Sequence, residues 1–341
     1  METKSEICII PFYHCNLKCP FCYNLDKLDS NLSVDFQEIL PKVLDDIEKA
    51  PYNLVHLNIY GGEIFDDNLP DSCYDELSNF LLTIKEKSQK EIIFKFTTNL
   101  IHKHTKRWLT LFENLGEDCV KITISYDLYG RFKDEKCFDI FKQNVEVYKQ
   151  YIIIASLTNI KQNIEIFLNE PENPYVDYFK YLYENFKIRI TDYVPNCINY
   201  KSFVPSDVEM FNFGKFLFQN YPKVDYIAKM KKTLAFDLNN EKYNQMRTLT
   251  SCSKPVLAAY YPEGYKSNNT CLFCLTGYKY TKINKKQAII KRNTSLGCLF
   301  CKYYRTCYLV CPASFLFMEK KLSTCYLKTL LELIDENAIS T

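Results

Sequence analysis

The sequence has no apolar run approaching the length of a membrane span, which takes about 20 consecutive apolar residues. An export signal is missing too. Met1 to Glu6 is polar, Ile7 to Phe12 is too short for a signal-peptide core, and cysteines follow it instead of a small-residue cleavage site. Charge of one sign is not in excess: the formal net charge is +2, so no global field draws the chain to nucleic acid or to an anionic membrane. Glycine numbers only 8 beside abundant Lys, Asn, Ile, Tyr and Phe, a bias to which we attach no functional meaning. There is no low-complexity tract. These absences predict a cytoplasmic globular protein with neither a nucleic-acid nor a membrane partner.

What is present in excess is cysteine, 16 in all. A secreted chain would use them as disulfides, but without an export signal, and with a length sufficient for a real core, staples are not needed. Clustered cysteines in a reducing compartment are metal ligands more often than not.

Up to about residue 200 the chain alternates short β-type runs with helical stretches. The strand candidates are Glu6–Pro11, Val55–Tyr60, Ile92–Thr97, Val120–Ser125, Tyr151–Ser156 and Ile188–Tyr193, all rich in β-branched or aromatic residues. Helical periodicity covers Val34–Lys49, Asp71–Lys87, Lys103–Asn114, Asp134–Tyr148 and Tyr175–Asn185, with Ser33 and Asp71 as expected N-caps. Six β-then-α units predict an α/β fold with a parallel sheet, curled by right-handed crossovers into a partial TIM-like (β/α)6 barrel. Chemistry then belongs at the carboxyl ends of the strands. Beyond, Asp207–Asn220 and Val224–Phe236 read as helices, a cysteine-dense and turn-rich region follows Cys252, and Thr324–Glu336 reads as a last helix. The expected domains are a barrel at 1–200, a helical connector at 201–245 and a cysteine-rich domain at 246–341.

Directly after the first strand comes Cys15-Asn16-Leu17-Lys18-Cys19-Pro20-Phe21-Cys22-Tyr23. Three thiolates at C-x3-C-x2-C spacing can each bind a different iron of a [4Fe–4S] cube, which normally takes four; the fourth iron then stays open for another ligand. A partial zinc site is the plainer alternative, but His14 is poorly spaced to complete it. With an aromatic before the last Cys, this segment resembles the signature of the radical S-adenosylmethionine (AdoMet) superfamily. The resemblance implies that AdoMet chelates the open iron and is cleaved reductively to methionine and a 5′-deoxyadenosyl radical. Tyr60-Gly61-Gly62-Glu63 after the second strand is similar to the family's GGE motif, whose backbone contacts the methionyl amine; the glycines are expected to let main chain approach ligand. Thr97-Thr98-Asn99 matches its TN position with Leu100 where Gly is usual. Ser125-Tyr126-Asp127 resembles its SxDG element with Leu128 in place of Gly, and Ser156, Thr158 and Asn159 fall at a fifth contact position. The implied cofactor contacts are thus Tyr23, Gly61, Gly62, Glu63, Thr98, Asn99, Ser125, Asp127, Thr158 and Asn159. Each polar one could equally be a cap or turn residue.

The second cluster is Cys298-x2-Cys301-x5-Cys307-x3-Cys311 with Cys325 trailing, preceded by Cys252, Cys271 and Cys274. Eight thiolates suffice for two further four-thiolate clusters or for a pair of zinc ribbons. Beside the first motif, the region is similar to the SPASM domain, which carries two auxiliary [4Fe–4S] clusters. That resemblance implies Cys298, Cys301, Cys307 and Cys325 on the outer cluster and Cys252, Cys271 and Cys311 on the inner one, with Cys274 as candidate fourth ligand. Cys8, Cys73, Cys119, Cys137 and Cys197 read as structural.

The resemblance implies an enzyme that abstracts hydrogen from a peptide or protein, such as a ribosomal peptide natural product. An auxiliary cluster would take up the substrate's electron, giving a cross-link or a dehydrogenation. It also implies an external donor such as flavodoxin or ferredoxin. With the motif at residue 15 no N-terminal recognition domain is expected, so a leader peptide would use the barrel, the helices at 202–236 or a separate recognition protein. Sulfatase maturation is disfavoured because Leu272 and Leu275 stand where that subfamily has an Asp. Alternatives are a dehydrogenase or epimerase of a small molecule such as an aminocyclitol or sugar, and a non-catalytic zinc-ribbon adaptor. Tyr13, His14, Tyr126, Asp127, Asp192 and Tyr193 lie near strand ends as proton-transfer candidates.

Overall fold

A computed structural model describes residues 4–28, 30, 32–193, 199–234, 257–267, 301, 303 and 317–339. Strands β1 (Ser5–Ile9), β2 (Leu54–Ile59), β3 (Glu91–Thr98), β4 (Val120–Ser125), β5 (Ile152–Thr158) and β6 (Lys187–Thr191) occur in the expected order. Between and after them come α1 (Phe36–Glu48), α2 (Asp71–Lys87), α3 (Thr105–Leu115), α4 (Glu135–Val147), α5 (Lys161–Asn169) and α6 (Pro174–Asn185). Helices α7 (Asp207–Asn220) and α8 (Asp225–Leu234) follow, then strands β7 (Ala258–Tyr261) and β8 (Gly264–Ser267), and helix α9 (Tyr326–Ile339). The sheet order is β6-β5-β4-β3-β2-β1-β7-β8. β1 to β4 pair in parallel, β7 joins β1 in parallel, and β8 turns back antiparallel.

The chain forms two compact units. One comprises Met1–Tyr126, Gly130–Ala155 and Pro255–Leu272, the other Asp127–Tyr129, Ser156–Lys254 and Phe273–Thr341. Helix α5 and the β7–β8 hairpin escape the sequence reading. The hairpin's Pro262-Glu263-Gly264 turn is its local signal, but its pairing with β1 spans some 250 residues of sequence.

Both expected caps are displaced. The Asp35 carboxylate, not Ser33, accepts from the Gln37 and Glu38 amides, while Ser33 bridges to Phe12. A shared carboxylate satisfies two orphan donors at once, where the hydroxyl would meet one. Asp71 lies inside α2 behind an uncapped Pro70; there it interacts favourably with the positive end of the helix dipole and pairs with Arg107 at 2.8 Å.

In the first unit, alternate residues of each strand enter a helix-covered core. Phe94, Phe96, Ile122 and Ile124 are fully buried. Phe65 stacks on Trp108 at 4.3 Å and contacts Phe96, Phe112 and Tyr148; each such ring contributes about 1.5–3 kcal/mol through burial. His102, 2% exposed, sits against Phe65 and Tyr148 with neither ring nitrogen hydrogen-bonded. Burial pushes its pKa down to about 4. Neutral His102 is therefore compatible with folding above pH 6.5, and stability is lost as pH falls from there toward 4. The shift corresponds to about 3 kcal/mol. His102→Phe, which keeps the ring, is expected to flatten that dependence. Urea unfolding at pH 7 and pH 4.5 checks it; equal losses in the two proteins would refute the assignment.

The second unit packs by aromatic contact. Phe167 of α5 meets Phe179 of α6 at 4.8 Å and Phe213 of α7 at 5.7 Å. Ser206 and Glu209 form a capping box on α7. The Asp207 carboxylate accepts from the amides of Lys321 and Leu322, which ties α7 to the segment entering α9.

Candidate cluster and cofactor site

The cysteine loop leaves β1 and is wound by short turns: Cys22 N–H donates to Cys19 O at 2.9 Å and Lys27 N–H to Asn24 O at 2.8 Å. Cys15, Cys19 and Cys22 form no disulfide. The Leu17 and Asn24 amides donate to Cys15 Sγ and Cys22 Sγ, each at 3.4 Å. Burial and then Glu63 push the Cys15 thiol up, with Cys22 and Cys19 adding to the effect. The three sulfurs thus lie within electrostatic reach of one another, and ionising them together calls for a compensating cation. Three thiols carried on one loop, each able to take a different iron, are the donor set that a [4Fe–4S] cube would use. Of the second-cluster cysteines only Cys301 and Cys325 are among the described residues, both half-buried and in no disulfide; Cys252, Cys271, Cys274, Cys298, Cys307 and Cys311 lie outside them.

The loop after β2 locks onto the cysteine loop. Gly62 N–H donates to Phe12 O at 3.0 Å and Glu63 N–H to His14 O at 2.8 Å. A Cβ on Gly62 would sit 1.7 Å from His14 O, and one on Gly61 2.6 Å from Phe12 O. The glycines therefore admit another stretch of this chain's own backbone, a use that the sequence reading did not foresee. Buried Asn24 donates to Gly61 O at 3.2 Å.

Glu63, 2% exposed, gathers the ends of β2 and β3. It accepts from Phe65 N at 3.0 Å, from Thr98 Oγ1 at 2.7 Å and from Asn99 N at 2.6 Å. Every partner is a donor, which suits the carboxylate form, although burial outweighs them and pushes the pKa up to about 7. Asn99 then donates from Nδ2 to Asn16 Oδ1 at 2.8 Å, and Asn16 donates to Ile101 O at 2.6 Å. The cysteine loop, the GGE loop and the TN loop thus share one hydrogen-bond network.

Leu100 stands where the resembled family has glycine, and its φ is 55°. A side chain therefore sits on left-handed backbone. This costs about 1–2 kcal/mol. Complete burial of the leucine offsets it, as do Leu100 N–H to Thr98 Oγ1 and Asn144 Nδ2 to Leu100 O. Leu128 is different: its φ is not positive, and the left-handed glycine of that loop is Gly130, φ 72°, whose added Cβ would meet Pro20 at 2.8 Å.

Asp127, Thr158 and Asn159 form a network of their own in the second unit. Asp127 Oδ1 accepts from Thr158 N at 2.8 Å and from Asn163 Nδ2 at 3.2 Å. Asn159 donates to Asp192 at 3.1 Å and accepts from Tyr193 N at 2.6 Å. Ser156 and Thr191 hydroxyls lie 2.7 Å apart. Ser125 closes β4, half-buried. Tyr23 is half-buried beside Cys22, which with burial raises its pKa.

Of the remaining proton-transfer candidates, Tyr126 is 1% exposed and its ring packs on Phe132 and Phe141. Tyr193 packs on Phe203. The Tyr13 hydroxyl donates to Glu263, which Lys27 also holds at 2.7 Å. His14 Nδ1 lies 3.0 Å from Asp66, whose side chain is fully buried. Sequence reasoning missed Asn16, Asn24, Asp66, Asn163 and Glu263. The first two were signalled by being amides inside or just after the cysteine motif; Glu263 had no local signal.

Three comparisons place these observations among known proteins. Residues 7–139 match the model of a 4Fe-4S single cluster domain. No curated protein matches the sequence. Solved structures do. Native anSMEcpe, an anaerobic sulfatase maturase with bound AdoMet, shares 16% identity at a TM-score of 0.61, over 99% of this chain and 98% of that one. The same protein with AdoMet and the Cp18Cys peptide gives 17% and 0.59, over 99% and 97%. SuiB of Streptococcus suis bound to precursor peptide SuiA gives 15% and 0.56, over 95% of this chain and 76% of that one. At such identities the likeness is one of fold, and it spans nearly the whole chain. Among the described residues no helix is long and apolar enough to cross a membrane.

Proposed function

We propose that this chain, whose α/β partial-barrel fold is that of the radical AdoMet maturases with a SPASM extension, binds one [4Fe–4S] cluster through Cys15, Cys19 and Cys22 and cleaves AdoMet to modify a peptide. The observation that carries this reading is the shared network in which the GGE and TN loops are bonded to the cysteine loop. When bound, cluster and cofactor supply a 5′-deoxyadenosyl radical that takes a hydrogen atom from the substrate. The chain's own part is positional. Glu63 sets the GGE and TN loops in one register, and Gly62 fixes their distance from the thiolates. Two amide donors orient Cys15 and Cys22. Thr98, Asn99 and Ser125 lie at strand ends of the unit that bears the cysteine loop and are assigned to the cofactor.

Two auxiliary clusters on the eight later cysteines, and an oxidative outcome such as a cross-link or dehydrogenation, belong to the same proposal. Structures of relatives holding a peptide support the substrate class. Tyr126, enclosed by aromatic rings, is assigned to packing; Asp192 is retained as a proton-transfer candidate. Anaerobic reconstitution is expected to give about 12 irons with matching sulfide, and 5′-deoxyadenosine when AdoMet and dithionite are added. Stoichiometric zinc without an iron–sulfur chromophore would overturn the reading and favour an adaptor.

A further inference from the structure

The GGE loop braces the cysteine loop, and the turn of the β7–β8 hairpin braces it again. The hairpin lies among the later cysteines in sequence but belongs to the first unit. At its root the cysteine loop is closed by the bridge between Phe12 and Ser33 and by Val34 N–H to Pro11 O at 2.8 Å. Nearer the thiols, side chains close it. Glu263 accepts from the Tyr13 hydroxyl through Oε2 and from Lys27 Nζ through Oε1, the latter at 2.7 Å. Lys27 Nζ also donates to the Tyr13 hydroxyl at 3.3 Å and lies 4.6 Å from the centre of its ring. The three groups thus form a closed ring.

Tyr13 stands just before Cys15, and Lys27 follows shortly after Cys22. One carboxylate therefore spans both ends of the segment that bears the three thiols. Burial would raise the Glu263 pKa, but Lys27 and Tyr13 outweigh it and hold the carboxyl below its ordinary range. An exposed ion pair contributes little by itself, and the Lys27 and Glu263 side chains are 30% and 37% exposed. Tyr13 raises this pair above that class. It is fully buried, so loss of its acceptor leaves a buried donor unsatisfied, and its bond to a carboxylate is charge-assisted. Fixing both ends of a segment also removes much of its freedom in advance, so the cluster has less ordering to supply when it binds.

We propose that Glu263 is a positioning residue for the first cluster, a clasp that holds both ends of the cysteine loop and presents its three thiols together before iron arrives. The inference rests on the cluster reading given under Proposed function and adds to it a group that belongs to no motif. Retention of the first cluster then depends on a hairpin supplied from the far end of the sequence.

The test uses the full chain before and after anaerobic reconstitution. Cys19 is 6% exposed, so its alkylation by iodoacetamide in the apoprotein, followed by mass spectrometry, reports opening of the loop. In the reconstituted protein, iron release to a chelator is timed, with Cys19→Ala marking the phase that belongs to the first cluster. Glu263→Gln is expected to speed alkylation and first-cluster release about tenfold each. The remaining iron should leave at the wild-type rate. Lys27→Met should act in the same direction, and the double variant should be no worse than Glu263→Gln alone, because both break one ring. Lys27→Arg should keep wild-type rates. Unchanged alkylation and release in Glu263→Gln would overturn the proposal, as would equally faster release of all the iron, the mark of a merely structural role. Should Glu263→Gln fail to fold, wild-type rates in Lys27→Met would overturn it. Wild type that takes up no iron on this loop would count against the cluster reading, and alkylation would still decide the clasp.

Discussion

Cys19→Ala is expected to lower the iron content by about four of about 12 and to abolish 5′-deoxyadenosine formation, a fall of more than about a thousandfold. Cys19 is 6% exposed and sits at the centre of the loop, its carbonyl accepting from Cys22 N–H. Alanine fits the space without strain, so the loop and the fold should survive. What is lost is one of the three thiolates proposed to hold the cluster, and two cannot hold a cube with an open corner. The auxiliary irons should remain, because their cysteines lie elsewhere in the sequence. Iron and sulfide analysis with product chromatography decides the matter. Full iron content in Cys19→Ala would remove the cluster from this loop and with it the proposed chemistry.

The second large effect is expected at Gly62, where no thiol or charge is touched. An alanine Cβ would lie 1.7 Å from His14 O, 2.5 Å from His14 C and 2.5 Å from Tyr13 O. All three atoms are backbone, so no side chain can rotate away, and the loops must part by more than an ångström. Overpacking of this kind costs about 3 kcal/mol or more, and a 1 Å misplacement of a positioning group costs about a hundredfold in rate. Gly62→Ala should therefore unfold earlier, retain little of the first cluster, and bind AdoMet about a hundredfold more weakly in whatever fraction is loaded. Thermal unfolding, iron content and equilibrium dialysis of AdoMet report these separately. Wild-type values for all three would mean that the close approach is not needed.

Much of the fold could be read from periodicity. Val120–Ser125, Asp71–Lys87 and Asp207–Asn220 have the expected boundaries, because their alternation or helical spacing agrees with local propensity. Boundaries moved where a tertiary partner supplied the end. Asp35 replaced Ser33 as a cap once Ser33 was engaged with Phe12. β7 and β8 could not be foreseen, since a four-residue strand is stable only through a neighbour distant in sequence. In the site, the three cysteines and Gly61-Gly62-Glu63 were legible as motifs, but not that the glycines also make room for the cysteine loop's carbonyls. Leu100 is the converse case. Its identity departs from the resembled pattern and its φ is positive, which no sequence shows.

By itself, the sequence determined the βα order, the loop that bears the three thiols, and the residue types at the strand ends, because spacing and side-chain chemistry are local properties. Only the tertiary structure decided that Glu63 joins two loops and that Asn16 meets Asn99. Those facts depend on hydrogen bonds across 35 to 83 positions of chain, and such distances are closed by packing and not by any neighbouring residue.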